Sequence, residues 1–288
     1  MKIELSRRRA LLALAALPLL PACAAPGADP ALQSRFAALE QDLGGRLGVA
    51  AIDTGSGKLV TWRADERFAM CSTFKMMACG AVLARSVNEP ALLAKRIPIA
   101  GGDLVPHSPV TEKHLADGMT LEQLCAATMI TSDNAAANLI LRELGGPAGL
   151  TQFARGIGDD VFRLDRYETE LNSAMEGDLR DTSTPRAMMR SLQALVLGSA
   201  LPPVQRKQLK DWLVACETGN QTIRAGVPAD WVVGNRTGAG GFGSRNDIGI
   251  AWPPGRTPIV MAIFTVRREP GSAARHDIVA AAARIVAG

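Results

Sequence analysis

Apolar positions along this chain follow two rhythms. Near both ends they come in short, nearly unbroken runs bounded by glycine, proline and polar turns, the habit of strands covered on both faces. Leu47-Gly-Val-Ala-Ala-Ile52 and Leu59-Val-Thr-Trp62 read as two strands, with Thr54-Gly-Ser-Gly57 as the turn between them. Residues 231–236, 248–252 and 259–266 repeat that habit near the other end. Between these groups the apolar spacing switches to threes and fours. It predicts helices over 32–43, where Phe36, Leu39 and Leu43 share a face, and over 72–86, 121–130, 134–143 and 184–198, with an Ala-rich helix over 272–286. Strands at both ends and helices in the middle predict an α/β fold of the α+β type. An antiparallel sheet from both termini is flanked by helices and carries an inserted all-helical lobe. Residues 26–66 with 216–288 form the α/β lobe, 67–215 form the helical lobe, and an active site lies between the lobes.

Composition narrows the picture. With 47% apolar and 21% charged residues in 288, the chain has the makeup of a folded protein. The net charge is +4, but Lys2, Arg7, Arg8 and Arg9 against Glu4 supply +3 of it, leaving about +1 for the rest. That balance gives no basic stripe for nucleic acid. His107, His114 and His276 stand far apart, with no ligand spacing for a metal and no sign of a cofactor. A basic start, an apolar run over 10–20 and the small residues Ala22-Cys23-Ala24-Ala25 have the order of an export signal over 1–25. The run is too short for a permanent span, which needs about 20 residues. The paired arginines resemble a twin-arginine signal. Leu20-Pro21-Ala22-Cys23 loosely resembles a lipoprotein box that would place a lipid anchor on Cys23; cleavage and a soluble periplasmic protein are the preferred reading. Cys71, Cys79, Cys125 and Cys216 remain, and an oxidising compartment permits a disulfide among their three full pairings. No heptad or apolar stripe suggests a dimer, so a monomer is expected.

Four short elements carry candidate chemistry. Ser72-Thr-Phe-Lys75 opens a helical run, and residues three apart share a face, so Lys75 can lie beside the Ser72 hydroxyl and assist removal of its proton. Ser132-Asp133-Asn134 lies between two helical stretches and offers a hydroxyl and an amide; its plain alternative is a helix cap. Glu168 and Asn172, in an irregular segment over 163–181, can hold a water between them with Glu168 as general base. Arg166 and Asp181 can pair at the base of that loop. Arg236-Thr237-Gly238-Ala239-Gly240 ends a predicted strand, with Arg245 close behind. Glycines there allow close backbone approach, and two guanidinium groups with a hydroxyl suit a carboxylate.

The four elements occur in order, with spacings of 60, 36 and 68 residues between Ser72, Ser132, Glu168 and Arg236. In this set the chain resembles a class A serine β-lactamase, whose motif set includes Ser-x-x-Lys, Ser-Asp-Asn and Lys-Thr-Gly. The likeness runs from about Leu32 to the end, through Ser108-Pro-Val-Thr-Glu-Lys113, Asn134-Ala-Ala-Ala-Asn-Leu139 and Arg163-Leu-Asp-Arg166. It implies hydrolysis of a small-molecule β-lactam without a cofactor. Ser72 would be the nucleophile, Lys75 and Glu168 the proton acceptors, and Ser132 the donor to the leaving nitrogen. Glu168 and Asn172 would hold the deacylating water. The backbone N–H groups of Ser72 and Ala239 would form the oxyanion hole. Asn134 would contact the substrate side chain, and Arg236, Thr237, Gly238 and Arg245 would bind its carboxylate end. The peptide after Glu168 is cis in many relatives. Cys79 and Cys125 match a disulfide found in many members. Cys71 faces a position that is cysteine in some carbapenem-hydrolysing relatives and Gly240 here. Two departures stand out. Arg236 replaces the usual lysine, a feature of the carbenicillin-hydrolysing subgroup that implies penicillins, carboxypenicillins included, as substrates. His107 replaces an aromatic residue at the cleft edge. The competing reading is a penicillin-binding DD-peptidase or a β-lactam sensor, which lacks the Glu168 and Asn172 pair.

Overall fold

A computed structural model describes residues 29–288; the proposed export signal and Cys23 lie outside them. In chain order the elements are α1 (Pro30–Leu43), β1 (Gly45–Asp53), β2 (Leu59–Trp62), β3 (Phe68–Ala69), α2 (Phe74–Ser86), β4 (Arg96–Ile97), β5 (Met119–Thr120), α3 (Leu121–Ile130), α4 (Asn134–Glu143), α5 (Gly146–Gly156), β6 (Thr182–Ser183), α6 (Pro185–Val196), α7 (Pro203–Val214), α8 (Ile223–Gly226), β7 (Val232–Gly240), β8 (Ser244–Trp252), β9 (Ile259–Arg267) and α9 (His276–Ala287). Five strands form one antiparallel sheet in the order β2-β1-β9-β8-β7, so the two ends of the chain meet where β1 pairs with β9.

Alternation along each strand sends side chains to two different cores. Ile259, Met261 and Ile263 of β9 join Leu47, Val49 and Ala51 of β1 in a cluster with Phe36 and Leu43 of α1 and Ile278, Val279 and Ala282 of α9. Val260, Ala262 and Phe264, one residue out of phase, face the larger cluster of α2 through α7. Both faces of the sheet are therefore dry. This explains why its strands read as continuous apolar runs.

Local chemistry fixes the helix ends. The Asp29 side chain accepts from Ala31 N–H at 2.9 Å and Pro30 opens α1. Thr120 and Gln123 close a reciprocal capping box at α3, at 3.1 and 2.8 Å. Several boundaries differ from the sequence expectation: β7 runs on to Gly240 and β8 begins at Ser244, each four residues beyond the expected span. Cys71–Thr73 form a 3-10 turn and the α-helix begins at Phe74. The last helix begins at His276 rather than 272, because the backbone is non-helical at Arg275, with φ -108° and ψ 87°. The helices α5 and α7 fall outside the predicted spans; each begins with a proline in its first turn. Among the described residues no helix is long and apolar enough to cross a membrane.

Candidate active site

Ser72 sits in the 3-10 turn, directly after Cys71 in the left-handed region at φ 48°. Strand β7 passes very close to this turn. A side chain at Gly238 would begin 2.7 Å from the Met70 carbonyl and 3.1 Å from Ser72 N, so only glycine permits the approach. It brings Ala239, next along the strand, to the same place. From β8, Asn246 Nδ2 donates to the carbonyls of Ala69 at 2.8 Å and Met70 at 3.1 Å, while its Oδ1 accepts from Thr265 N–H. The turn is thereby fastened to the sheet.

Lys75, one residue into α2, is fully buried. Its ammonium donates to Asn134 Oδ1 at 2.5 Å, the Ser132 carbonyl at 2.9 Å and Ser132 Oγ at 3.3 Å, and lies 3.0 Å from Glu168 Oε1. Burial pulls its pKa down to about 8 against the pull of the Glu168 carboxylate, and the Arg236 cation pushes the same way as burial. Ser72 Oγ donates to Glu168 Oε1 at 3.1 Å. Ser72 and Lys75 thus meet through this carboxylate oxygen rather than through the direct contact that their spacing suggests. Asn172 Nδ2 donates to Glu168 Oε2 at 2.6 Å, so these two side chains touch directly; the buried Asn172 Oδ1 has no partner among the described residues.

The segment over 163–181 holds Glu168 by its backbone. Asn138 Oδ1 accepts from Glu168 N–H at 2.8 Å and Asn138 Nδ2 donates to the Glu168 carbonyl at 2.9 Å. The Glu168–Thr169 peptide is cis. Arg166 Nε lies 2.5 Å from Asp181 Oδ2, and Asp181 Oδ1 accepts the N–H groups of Asp165 and Arg166. The segment closes on itself where Arg163 N–H donates to the Thr182 carbonyl at 3.1 Å, and it meets the sheet edge where Gly241 N–H donates to the Asn172 carbonyl at 2.8 Å.

Ser132 has φ 69°. Asp133 caps α4 and accepts from Val110, Thr111 and Ala136 N–H groups, which turns it away from the chemistry. Asn134 Nδ2 donates to the Pro106 carbonyl at 2.8 Å. His107, exposed with φ 63°, donates from Nε2 to the Thr131 carbonyl at 2.8 Å. Arg236 is fully buried in β7 and bonds to Ser132 Oγ and, at 3.2 Å, to Thr218 Oγ1. Thr237 Oγ1 is 2.5 Å from Thr218 Oγ1, and Arg245 Nη2 donates to the Thr218 carbonyl at 2.8 Å.

Ser72, Lys75, Ser132, Asn134, Glu168, Asn172 and Arg236 are therefore joined in one hydrogen-bonded cluster, with Thr237 and Arg245 tied to it through Thr218. Asn138, Thr218 and Asn246 were given no role there. The one signal for Asn246 is a polar Asn-Asp pair inside an apolar strand. The disulfide expected between Cys79 and Cys125 is not formed: both thiols are free and buried. Cys79 Sγ lies 3.7 Å from the Cys125 carbonyl, a weak hydrogen bond.

Residues 31–287 match the β-lactamase enzyme family. The chain is 56% identical over 253 residues to the carbapenem-hydrolyzing β-lactamase KPC of Klebsiella oxytoca, covering 87% of this chain and 86% of that one. It is 50% identical to β-lactamase OXY-1 of Klebsiella oxytoca over 97% of both chains, and 51% identical to β-lactamase CTX-M-25 of Escherichia coli over 88% of both. A β-lactamase crystal structure from Desulfarculus baarsii superposes with a TM-score of 0.89 at 54% identity, covering 91% of this chain and 98% of that chain. The chain belongs to the class A β-lactamase family and is a hydrolase acting on β-lactams.

Proposed function

We propose that the chain hydrolyses the ring amide of penicillins, carboxypenicillins included, through an ester on Ser72. The observation that carries this reading is the convergence of Ser72 Oγ and Lys75 Nζ on Glu168 Oε1, with Asn172 on the other carboxylate oxygen. The Ser72 proton passes to Glu168 or to neutral Lys75 as Oγ attacks the ring carbonyl. Backbone N–H groups of Ser72 and Ala239 receive the oxyanion. The carbon–nitrogen bond breaks as Ser132 delivers its proton to the nitrogen and regains, through Lys75, the proton taken from Ser72; its hydroxyl touches both Lys75 and Arg236. A water then accepts one hydrogen bond from Asn172 Nδ2 and donates to Asn172 Oδ1 or Glu168. Glu168 takes its proton as it attacks the ester, and Ser72 is restored. Asn172 Oδ1, buried and without a partner among the described residues, supports that placement.

Arg236, Thr237 and Arg245 hold the substrate carboxylate, and Asn134 and His107 border its side chain. Arginine at 236 keeps the charge of the usual lysine and adds a planar fork, which favours carboxylate-bearing penicillins. The reading includes export to the periplasm as a monomer, with the lobe division at residues 67 and 216 framing the cleft. A DD-peptidase or sensor is not favoured, because Glu168 and Asn172 supply the deacylating pair.

The test compares hydrolysis of benzylpenicillin, carbenicillin, a chromogenic cephalosporin and imipenem by the purified protein and by Glu168→Ala, with intact-mass detection of adducts. Fast turnover of both penicillins by wild type, with an adduct on Ser72 of the variant, is the expected result. A lasting Ser72 adduct on wild type without turnover would overturn the reading. Preferential imipenem turnover would overturn its substrate assignment alone.

A further inference from the structure

Thr218 lies in the loop between α7 and α8, held against the end of α3 by the bond from Glu217 N–H to the Ile130 carbonyl at 3.0 Å. Its hydroxyl is surrounded by three groups: Arg236 Nη1 at 3.2 Å, Thr237 Oγ1 at 2.5 Å and Cys216 Sγ at 3.3 Å. A hydroxyl has one proton and two lone pairs. The guanidinium can only donate, so it occupies one lone pair. Its charge polarises the Thr218 O–H, which becomes a better donor and a poorer acceptor. The proton then goes to the nearer and stronger acceptor, Thr237 Oγ1, and the second lone pair faces the weak thiol donor of Cys216. Thr237 Oγ1 accepts this bond and has no other side-chain partner among the described residues, so its own proton is free to turn into the cleft. The Thr218 carbonyl meanwhile holds Arg245 Nη2.

We propose that Thr218 is a positioning residue for carboxylate recognition: its hydroxyl donates to Thr237 and aims the Thr237 proton at the substrate carboxylate, while its carbonyl sets Arg245. The proposal rests on Thr237 binding that carboxylate.

The test uses Thr218→Val, Thr218→Ser, Thr237→Val and the double valine variant on benzylpenicillin and on its methyl ester, which keeps the ring amide and lacks the anion. Thr218→Val is expected to lower the preference for acid over ester roughly tenfold, about 1.4 kcal/mol, through KM with kcat within about twofold. Thr218→Ser restores the preference. In the Thr237→Val background Thr218→Val adds less than about a twofold loss, the non-additivity of residues in one network. Equal losses on acid and ester, or no loss on either, would overturn the proposal. If Thr237→Val itself leaves the acid preference intact, the carboxylate reading fails. If Thr237→Val removes the preference and Thr218→Val keeps it, the relay alone fails. Melting temperatures identify folded variants, and Thr218→Ala takes the place of an unfolded valine variant.

Discussion

Lys75 is an ammonium sealed from water, and its neighbours decide how long it keeps its proton. Burial lowers its pKa to about 8, the Glu168 carboxylate opposes that, and Arg236 adds to it. Glu168→Gln should therefore move the Lys75 pKa below 8, and Arg236→Ala should raise it. Carbon-13 shifts of labelled lysine or the pH dependence of single-turnover acylation would read both changes; movement of the two in one direction would contradict the assignment. Stability carries the same signature. Between about 8 and the ordinary lysine value of 10.5 the unfolded chain binds more protons than the folded one, so Lys75 makes stability rise with pH across that window. Asp247 acts with the opposite sign. Burial raises its carboxyl pKa, opposed by bonds from Thr222, Asn235 and the Ile223 amide. The folded state keeps this proton above the ordinary value of 3.8, so the contribution of Asp247 declines as pH rises through its folded pKa. Urea unfolding of wild type and Asp247→Asn from pH 4 upward should give a difference that moves against wild type as pH rises.

At the scale of elements, the irregular segment over 163–181 is rigid where Glu168 needs it. Two bonds from Asn138 clamp the Glu168 backbone. Asn138→Ala removes both from a buried site, a local cost of about 1–3 kcal/mol, and should slow deacylation so that acyl-enzyme builds up in mass spectra during turnover. Adduct levels equal to wild type would show that the clamp is dispensable. Gly240 marks where this segment meets β7. A side chain there would begin 2.5 Å from the Asn172 carbonyl and 2.6 Å from Cys71 Sγ. The second distance is shorter than the roughly 3 Å that a bonded Cβ and Sγ keep, so the Cys71 thiol and the Asn172 carbonyl must both give way, but it puts the two sulfurs within bonding reach. Gly240→Cys should therefore lose about 2 Da and two titratable thiols on oxidation, and persistence of both thiols would refute the predicted bond.

Across the whole molecule, the sheet is shared by two cores, and its strands β7 and β8 both reach the turn that carries Ser72. Asn246 makes that connection with one amide, donating to two carbonyls of the turn. Asn246→Leu would remove the side-chain donor of the Ala69 carbonyl, while the Met70 carbonyl keeps the Thr73 hydroxyl and N–H, a cost of about 2 kcal/mol. It should lower the melting temperature and slow acylation together. A slower acylation at unchanged stability would place its effect at the site alone.

Much of this was legible in residues near one another along the chain. The switch between strand runs and helical spacing gave the order of elements, because alternation and the 3.6-residue period are local properties. The serine, lysine, glutamate and arginine motifs named side chains that the fold brings into hydrogen-bond contact. What the tertiary structure alone decided is how they meet. Ser72 and Lys75 share one oxygen of Glu168, which lies 96 residues from Ser72 in sequence. Cys79 and Cys125 stay as thiols, and Thr218 and Asn246 enter the site from loops and strands with no motif of their own. Pairing, hydrogen-bond direction and burial depend on packing between distant segments, and no local pattern encodes them.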